Sequence, residues 1–168
     1  MTPAANLDAA DLEEALVTIS SQSEYAPSRS NTCHFIAEAF SDEATTATRH
    51  SLFLAVHESE PLGYLEMRIT LDEAEIDFVA VDNAFQRMGI GKKLVSNSIQ
   101  HAIAKGACRV FLEVGEHNKG AIALYEGLGF SQISVRKNYY KNGENAIVMA
   151  RELNVASEGC SATAPKTQ

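Results

Sequence analysis

The run Phe78-Val79-Ala80-Val81-Asp82-Asn83-Ala84-Phe85-Gln86-Arg87-Met88-Gly89-Ile90-Gly91-Lys92 carries the residue types and spacing best suited to chemistry in this chain. A valine-rich strand ends, a short loop brings two glycines, and an amphipathic helix begins. Glycines at such a turn let the backbone approach a ligand. The N–H groups of the first helical turn lack partners within the helix, so together they favour an anion. Arg87 and Lys92 add positive charge. Physically this is a cradle for a pyrophosphate, although a glycine-relieved turn that holds nothing has the same local sequence. Two commoner phosphate motifs are absent: G-x-G-x-x-G needs glycine where Leu94 stands, and a P-loop needs glycine at Gln86 and Ser or Thr at Lys93.

Periodicity shows which elements must hold the turn. Asp8 or Asp11 can cap a first helix with Leu12, Leu16 and Ile19 on one face, ending near Ser20 and Ser21. Residues 22–30, with Pro27, read as a loop. Asn31 or Thr32 can cap a second helix carrying Phe35, Ile36, Ala39 and Phe40, and 42–49 read as a connection. Strands are expected at 52–56, 62–71 and 76–81, joined by short turns at 58–61 and 72–75, which suits an antiparallel meander. A helix over 89–105, with Val95, Ile99 and Ile103 in register, precedes a strand at 110–114. A helix capped by Asn118 and ending near Leu128 follows, then strands at 131–136 and 146–153. The strand–helix–strand unit from Ile76 to Val114 requires a crossover and therefore a parallel strand pair. The expected architecture is one mixed α/β domain over residues 1–153, with 154–168 a flexible tail.

Composition narrows the function classes. With 168 residues, 45% hydrophobic and 21% charged, the chain is an ordinary globular sequence able to bury its own core. It has no apolar run of about 18 residues and no basic, apolar leader, so a cytoplasmic protein without a membrane segment is expected. A net charge of −8 disfavours general nucleic-acid binding, which draws on basic contacts to phosphate, and suits a cationic partner. Cys33, Cys108 and Cys160 read as reduced thiols, and neither they nor the five histidines show metal-ligand spacing; no metal is expected. Cys108 as a nucleophile, His117 as an auxiliary base and the acidic stretch 72–77 as a peptide attractor each have a plainer reading: a buried thiol, a surface histidine and a solvated hairpin.

The spacing Gln86-x-x-Gly89-x-Gly91 resembles the acetyl-CoA signature Q/R-x-x-G-x-G/A of the GNAT superfamily of N-acetyltransferases. Leu112-Glu113-Val114 through Asn118, then Ala121-Ile122-Ala123-Leu124-Tyr125-Glu126-Gly127-Leu128-Gly129-Phe130, resembles its L-E-V…N-x-x-A-I-x-L-Y-x-x-L-G-F signature. Arg136-Lys137-Asn138-Tyr139-Tyr140 followed by Ala146-Ile147-Val148-Met149 is similar to the ending of the bacterial ribosomal-protein-alanine branch. The resemblance covers 76–153 closely and the N-terminal part in element order. It implies a GNAT-like α/β domain: a mixed, mostly antiparallel sheet with a central parallel pair, flanked by helices.

The resemblance also implies direct acetyl transfer from acetyl-CoA to an amine in a ternary complex. The backbone of Val79, Ala80 and Val81 would bind the pantetheine arm, and the amides of Arg87, Met88, Gly89, Ile90, Gly91 and Lys92 the pyrophosphate. Glu113 matches the family's proton acceptor and Tyr125 its proton donor, while Asn118 would contact the cofactor. Tyr139 and Tyr140 would grip the acceptor. Read from position alone, Glu113 is more plainly a salt-bridged or solvent-facing strand carboxylate, while Tyr125 also reads as a packed aromatic, Asn118 as a helix cap and the tyrosine pair as interfacial packing. The implied acceptor is the N-terminal alanine of a basic small-subunit ribosomal protein. A small-molecule amine and a non-catalytic acetyl-CoA-binding module are the alternatives. The chain departs from the family where members usually carry an aromatic-Pro-Trp segment: it has Tyr25-Ala26-Pro27-Ser28, and no Trp anywhere.

Overall fold

Alternation of apolar and polar residues dominates the middle of the chain. Three strands follow one another there: β1 (Thr48–His57), β2 (Glu60–Thr70) and β3 (Glu73–Val81). They pair as the expected antiparallel meander. The strands run further than periodicity suggests because their turns are only two residues long. Glu58 and Ser59 both adopt positive φ, 47° and 74°, which matches the twist of the flanking strands. The computed structural model describes residues 9–32, 34 and 48–153. The expected core positions of the second helix and the expected tail lie outside them.

Helix α1 (Ala9–Ser21) precedes the meander; α2 (Ile90–Ala104), β4 (Arg109–Gly115), α3 (Lys119–Glu126), β5 (Ser131–Arg136) and β6 (Ala146–Glu152) follow it. The sheet order is β1-β2-β3-β4-β6-β5. β3 and β4 are parallel, as the crossover through α2 requires, and every other pairing is antiparallel. Ile76, Leu112 and Met149, from β3, β4 and β6, pack with Val95 and Ile99 of α2 and Tyr125 of α3 on one face. On the other face Leu12, Leu16 and Ile19 of α1 cover Tyr64 and Ala80.

Two expectations change. The helical turn after α1 begins at 29 and is capped by Ser28, whose Oγ accepts from the N–H of Asn31 at 3.3 Å, not by Asn31 or Thr32. Cys108 is disulfide-bonded, contrary to its reading as a buried reduced thiol. It sits at the head of β4, beside the chain leaving β6, where the N–H of Leu153 donates to its carbonyl at 2.8 Å. Among the described residues no helix is long and apolar enough to cross a membrane.

Candidate active site

The parallel ladder between β3 and β4 is short. It runs from Glu73↔Arg109 to Ile76↔Leu112 and stops, although both strands continue. Beyond it β3 stays paired to β2 as far as Val81, and β4 to β6 as far as Gly115. The strands therefore part in the middle of the sheet, leaving one edge of Val79–Val81 without a strand partner. A cleft of about 810 Å³ occupies the gap. Because it passes between strands, it can be lined by groups from both faces of the sheet.

The glycine turn forms one end. Val79, Val81, Arg87, Gly89, Ile90, Gly91 and Lys92 line the cleft; Ala80 lines an adjoining recess, and the Met88 side chain is exposed. Gly89 caps α2 with φ 81°, a left-handed conformation that side chains other than glycine adopt only with strain. The first intrahelical bond runs from Lys93 N–H to Gly89 O at 3.0 Å. The preceding amides have no acceptor within the helix and meet the cleft at its positive end. Gln86 stays within the loop, its Nε2 donating to Asn83 Oδ1 at 2.7 Å.

Glu113 and Tyr125 reach the cleft from opposite faces. Leu112 and Val114 point into the main core, so strand alternation turns Glu113 to the α1 face. Its carboxylate forms an ion pair with Arg136, Nη1 to Oε1 at 2.8 Å, and its side chain is 15% exposed. Tyr125 comes from the core side, positioned by α3, whose N-terminus is capped by Asn118 through the Ala121 N–H at 3.1 Å. It is buried, edge-on to Phe130, and desolvation pushes its phenol up to about 12. The hydroxyl therefore keeps its proton throughout the neutral range.

The opposite end is aromatic. Tyr25, Tyr139 and Tyr140 line it with Pro27, Tyr140 packing edge-on to both other rings. Tyr25 is fixed by donating to Glu144 Oε2 at 2.9 Å, while the N–H of His117 donates to Glu144 Oε1 at 2.7 Å. That backbone bond first, with the Tyr25 bond adding to it, holds the Glu144 carboxyl below its usual range. Gly115 makes the seat possible: a Cβ there would lie 2.5 Å from three atoms of the Tyr25 phenol. Gly115→Ala should therefore unseat the ring and cost about 1–3 kcal/mol, seen as a melting temperature lower by several degrees. An unchanged melt would mean Tyr25 is not held there.

Sequence reasoning missed three contributors: Tyr25, noted only as a departure from a motif; Glu144; and Asp77, read as part of a solvated hairpin. Asp77 lines the cleft and forms an ion pair with Arg68, Nη2 to Oδ1 at 2.9 Å. Glu66 lies on the same face of β2 and is 4% exposed, its Oε1 without a hydrogen-bond partner. Desolvation first, then repulsion from Asp77, raises Glu66 from 4.5 to about 8. The folded state thus holds this proton more tightly than the unfolded chain, so stability falls as pH rises from about 4.5 to about 8. Glu66→Gln should remove part of that fall. Its melting temperature should gain on the parent's between pH 5 and pH 9, by an amount corresponding to roughly 1 kcal/mol. A constant difference across that range would contradict it.

A split mixed sheet, with a helix N-terminus at one end of the gap and a carboxylate and a phenol facing it from opposite sides, brings together groups that acyl transfer can use. The chain belongs to the Acetyltransferase (GNAT) family, which matches residues 15–130, and it is an acetyltransferase. Similar proteins include the ribosomal protein bS18-alanine N-acetyltransferase of Salmonella typhimurium, 41% identical over 91 residues, covering 52% of this chain and 62% of that one. The enzyme of the same name from Escherichia coli is 34% identical over 110 residues, covering 64% and 74%. The crystal structure of the Escherichia coli ribosomal-protein-alanine N-acetyltransferase superposes with a TM-score of 0.76 at 29% identity, covering 94% of this chain and 97% of that one.

Proposed function

We propose that this protein transfers the acetyl group of acetyl-CoA to the N-terminal α-amine of a protein, with the N-terminal alanine of a basic small-subunit ribosomal protein as acceptor. The observation that carries the reading is the convergence of Glu113 and Tyr125, from opposite faces of the sheet, on one cleft with an anion-binding helix terminus at one end. The similarity to the two bS18-alanine enzymes supports the acceptor. A net charge of −8 suits a basic partner, and the cytoplasm is where such a partner is made.

In this reading the amides from Arg87 to Lys92 hold the pyrophosphate, and the free edge of Val79–Val81 pairs with the pantetheine arm as an added strand would. An α-amine has a pKa of about 7.7–8.0, so much of it arrives protonated and must lose a proton before attack. Glu113 accepts a proton from the amine, and Tyr125 donates one to the departing thiolate. Asn118 contributes as the cap that positions the helix carrying Tyr125. Tyr139 and Tyr140, with Tyr25, hold the acceptor backbone. The substrate class is tested by mass spectrometry with acetyl-CoA and basic peptides starting with Ala, Ser or Met, the same peptides with blocked α-amines, and small amines. Acetylation of unblocked Ala or Ser peptides alone is expected; modification of small amines alone would overturn the acceptor assignment.

A further inference from the structure

We propose that Asp77 is a second catalytic carboxyl in the cleft: together with Glu113 it brackets the acceptor's ammonium group and takes one of the two protons that the nitrogen must lose. This rests on the amine-acetylation reading above and goes beyond it in naming a second acceptor.

The register places the two carboxyls together. Ile76 and Leu112 form the last rung of the parallel ladder, and Asp77 and Glu113 are the next residue on each strand, where the strands begin to part. Glu113 faces the α1 side. Asp77 does too, because β3 carries an extra residue there. Met67 pairs with Ile76 and Glu66 with Phe78, which leaves Asp77 as the bulged residue. Ala74 and Ile76 before it, and Val79 and Val81 after it, all pack against the main core, so the apolar phase shifts by one at this point. Both carboxyls line the same cleft.

Each is braced from its outer side. Arg136 of β5 holds Glu113 at 2.8 Å, and Arg68 of β2 holds Asp77 at 2.9 Å. The described titratable groups around Asp77 are Glu66 and Arg68 from β2, Glu75 on its own strand and Glu113 from β4. Tyr25, Tyr139 and Tyr140 line the cleft beyond. With Glu66 holding its proton, the ionised forms of Glu75, Asp77 and Glu113 still outnumber the two arginines, and Glu66 adds a buried oxygen that no protein group satisfies. An incoming cation would relieve that imbalance. Burial, with Glu75 and Glu113 adding to it and Arg68 opposing, lifts Asp77 to about 7, close to the pKa of an α-amine.

The stoichiometry calls for two acceptors. An ammonium R–NH₃⁺ becomes the amide R–NH–CO–CH₃ by losing two protons. Asp77 takes the first, freeing the lone pair that forms the C–N bond to the thioester carbonyl. Glu113 takes the second from the tetrahedral intermediate. The C–S bond then breaks with its electron pair on sulfur, and Tyr125 protonates it.

Kinetics against pH test this, read on whichever primary amine the parent enzyme acetylates. The parent's kcat/KM should rise with an acid limb centred near 7. Asp77→Asn should lower kcat/KM at pH 7 at least tenfold and abolish that limb, leaving only the amine's own titration. Asp77→Glu should recover part of both, and acetyl-CoA affinity by calorimetry should stay within about twofold in each variant. Asp77→Asn activity within twofold of the parent, or a uniform loss that leaves the limb in place, would overturn the proposal. Parent activity on small amines alone would overturn the peptide acceptor but still decide Asp77 on those amines, whereas transfer to no amine would overturn both.

Discussion

Tyr125→Phe should lower turnover about 100- to 1000-fold while leaving acetyl-CoA affinity within about twofold. The substitution removes one oxygen from a buried ring and leaves the ring's contact with Phe130 in place. In the proposed mechanism what is lost is a proton for the departing thiolate, an interaction made in the transition state and not in the ground state. General acid catalysis contributes about 100- to 10,000-fold, so a loss of about 3–4 kcal/mol from the barrier is in scale. The raised phenol pKa, about 12, adds a second signature: the parent's rate should show no alkaline decline from this group below about pH 10. Stopped-flow or steady-state kinetics beside calorimetry separate the outcomes. Equal losses in turnover and cofactor affinity would make Tyr125 a packing residue.

Gly89→Val should do the reverse, weakening acetyl-CoA binding about 100-fold, or about 2.7 kcal/mol, with a folded protein retained. A Cβ at Gly89 meets no protein atom within 4 Å, so nothing in the chain obstructs it. The penalty comes from the backbone. At φ 81° a β-branched residue is strained, and relaxing that strain turns the first amides of α2 away from the cleft. The side chain would also occupy space the pyrophosphate needs. Unchanged affinity by calorimetry would remove the cradle from this turn.

The sequence made the scaffold readable because its apolar period switches cleanly from two to about 3.6 at Gly89, and because short links force neighbouring strands to pair. The parallel pair followed from the crossover alone. Element ends were harder, since two-residue turns with positive φ at Glu58, Ser59 and Leu71 carry no glycine to mark them. The cleft's glycine end was visible in local sequence, because a helix N-terminus makes its own chemistry. The aromatic end was not. Tyr25, Gly115 and Glu144 meet only through the fold, across up to 119 positions of chain. Asp77 did leave a trace: in Ile76-Asp77-Phe78-Val79 the alternation slips by one, which marks a bulge. The disulfide at Cys108 could not be read from three widely spaced cysteines.

The central claim is that this cleft acetylates a protein's N-terminal α-amine directly. The measurement that tests it most directly is tandem mass spectrometry of one basic peptide, beginning with alanine and carrying an internal lysine, after incubation with the protein and acetyl-CoA. A single acetyl group on the alanine nitrogen, absent when Glu113→Gln or Tyr125→Phe replaces the parent, is the predicted result. Acetyl on the lysine, or a peptide left unmodified while a small amine is acetylated, would contradict it.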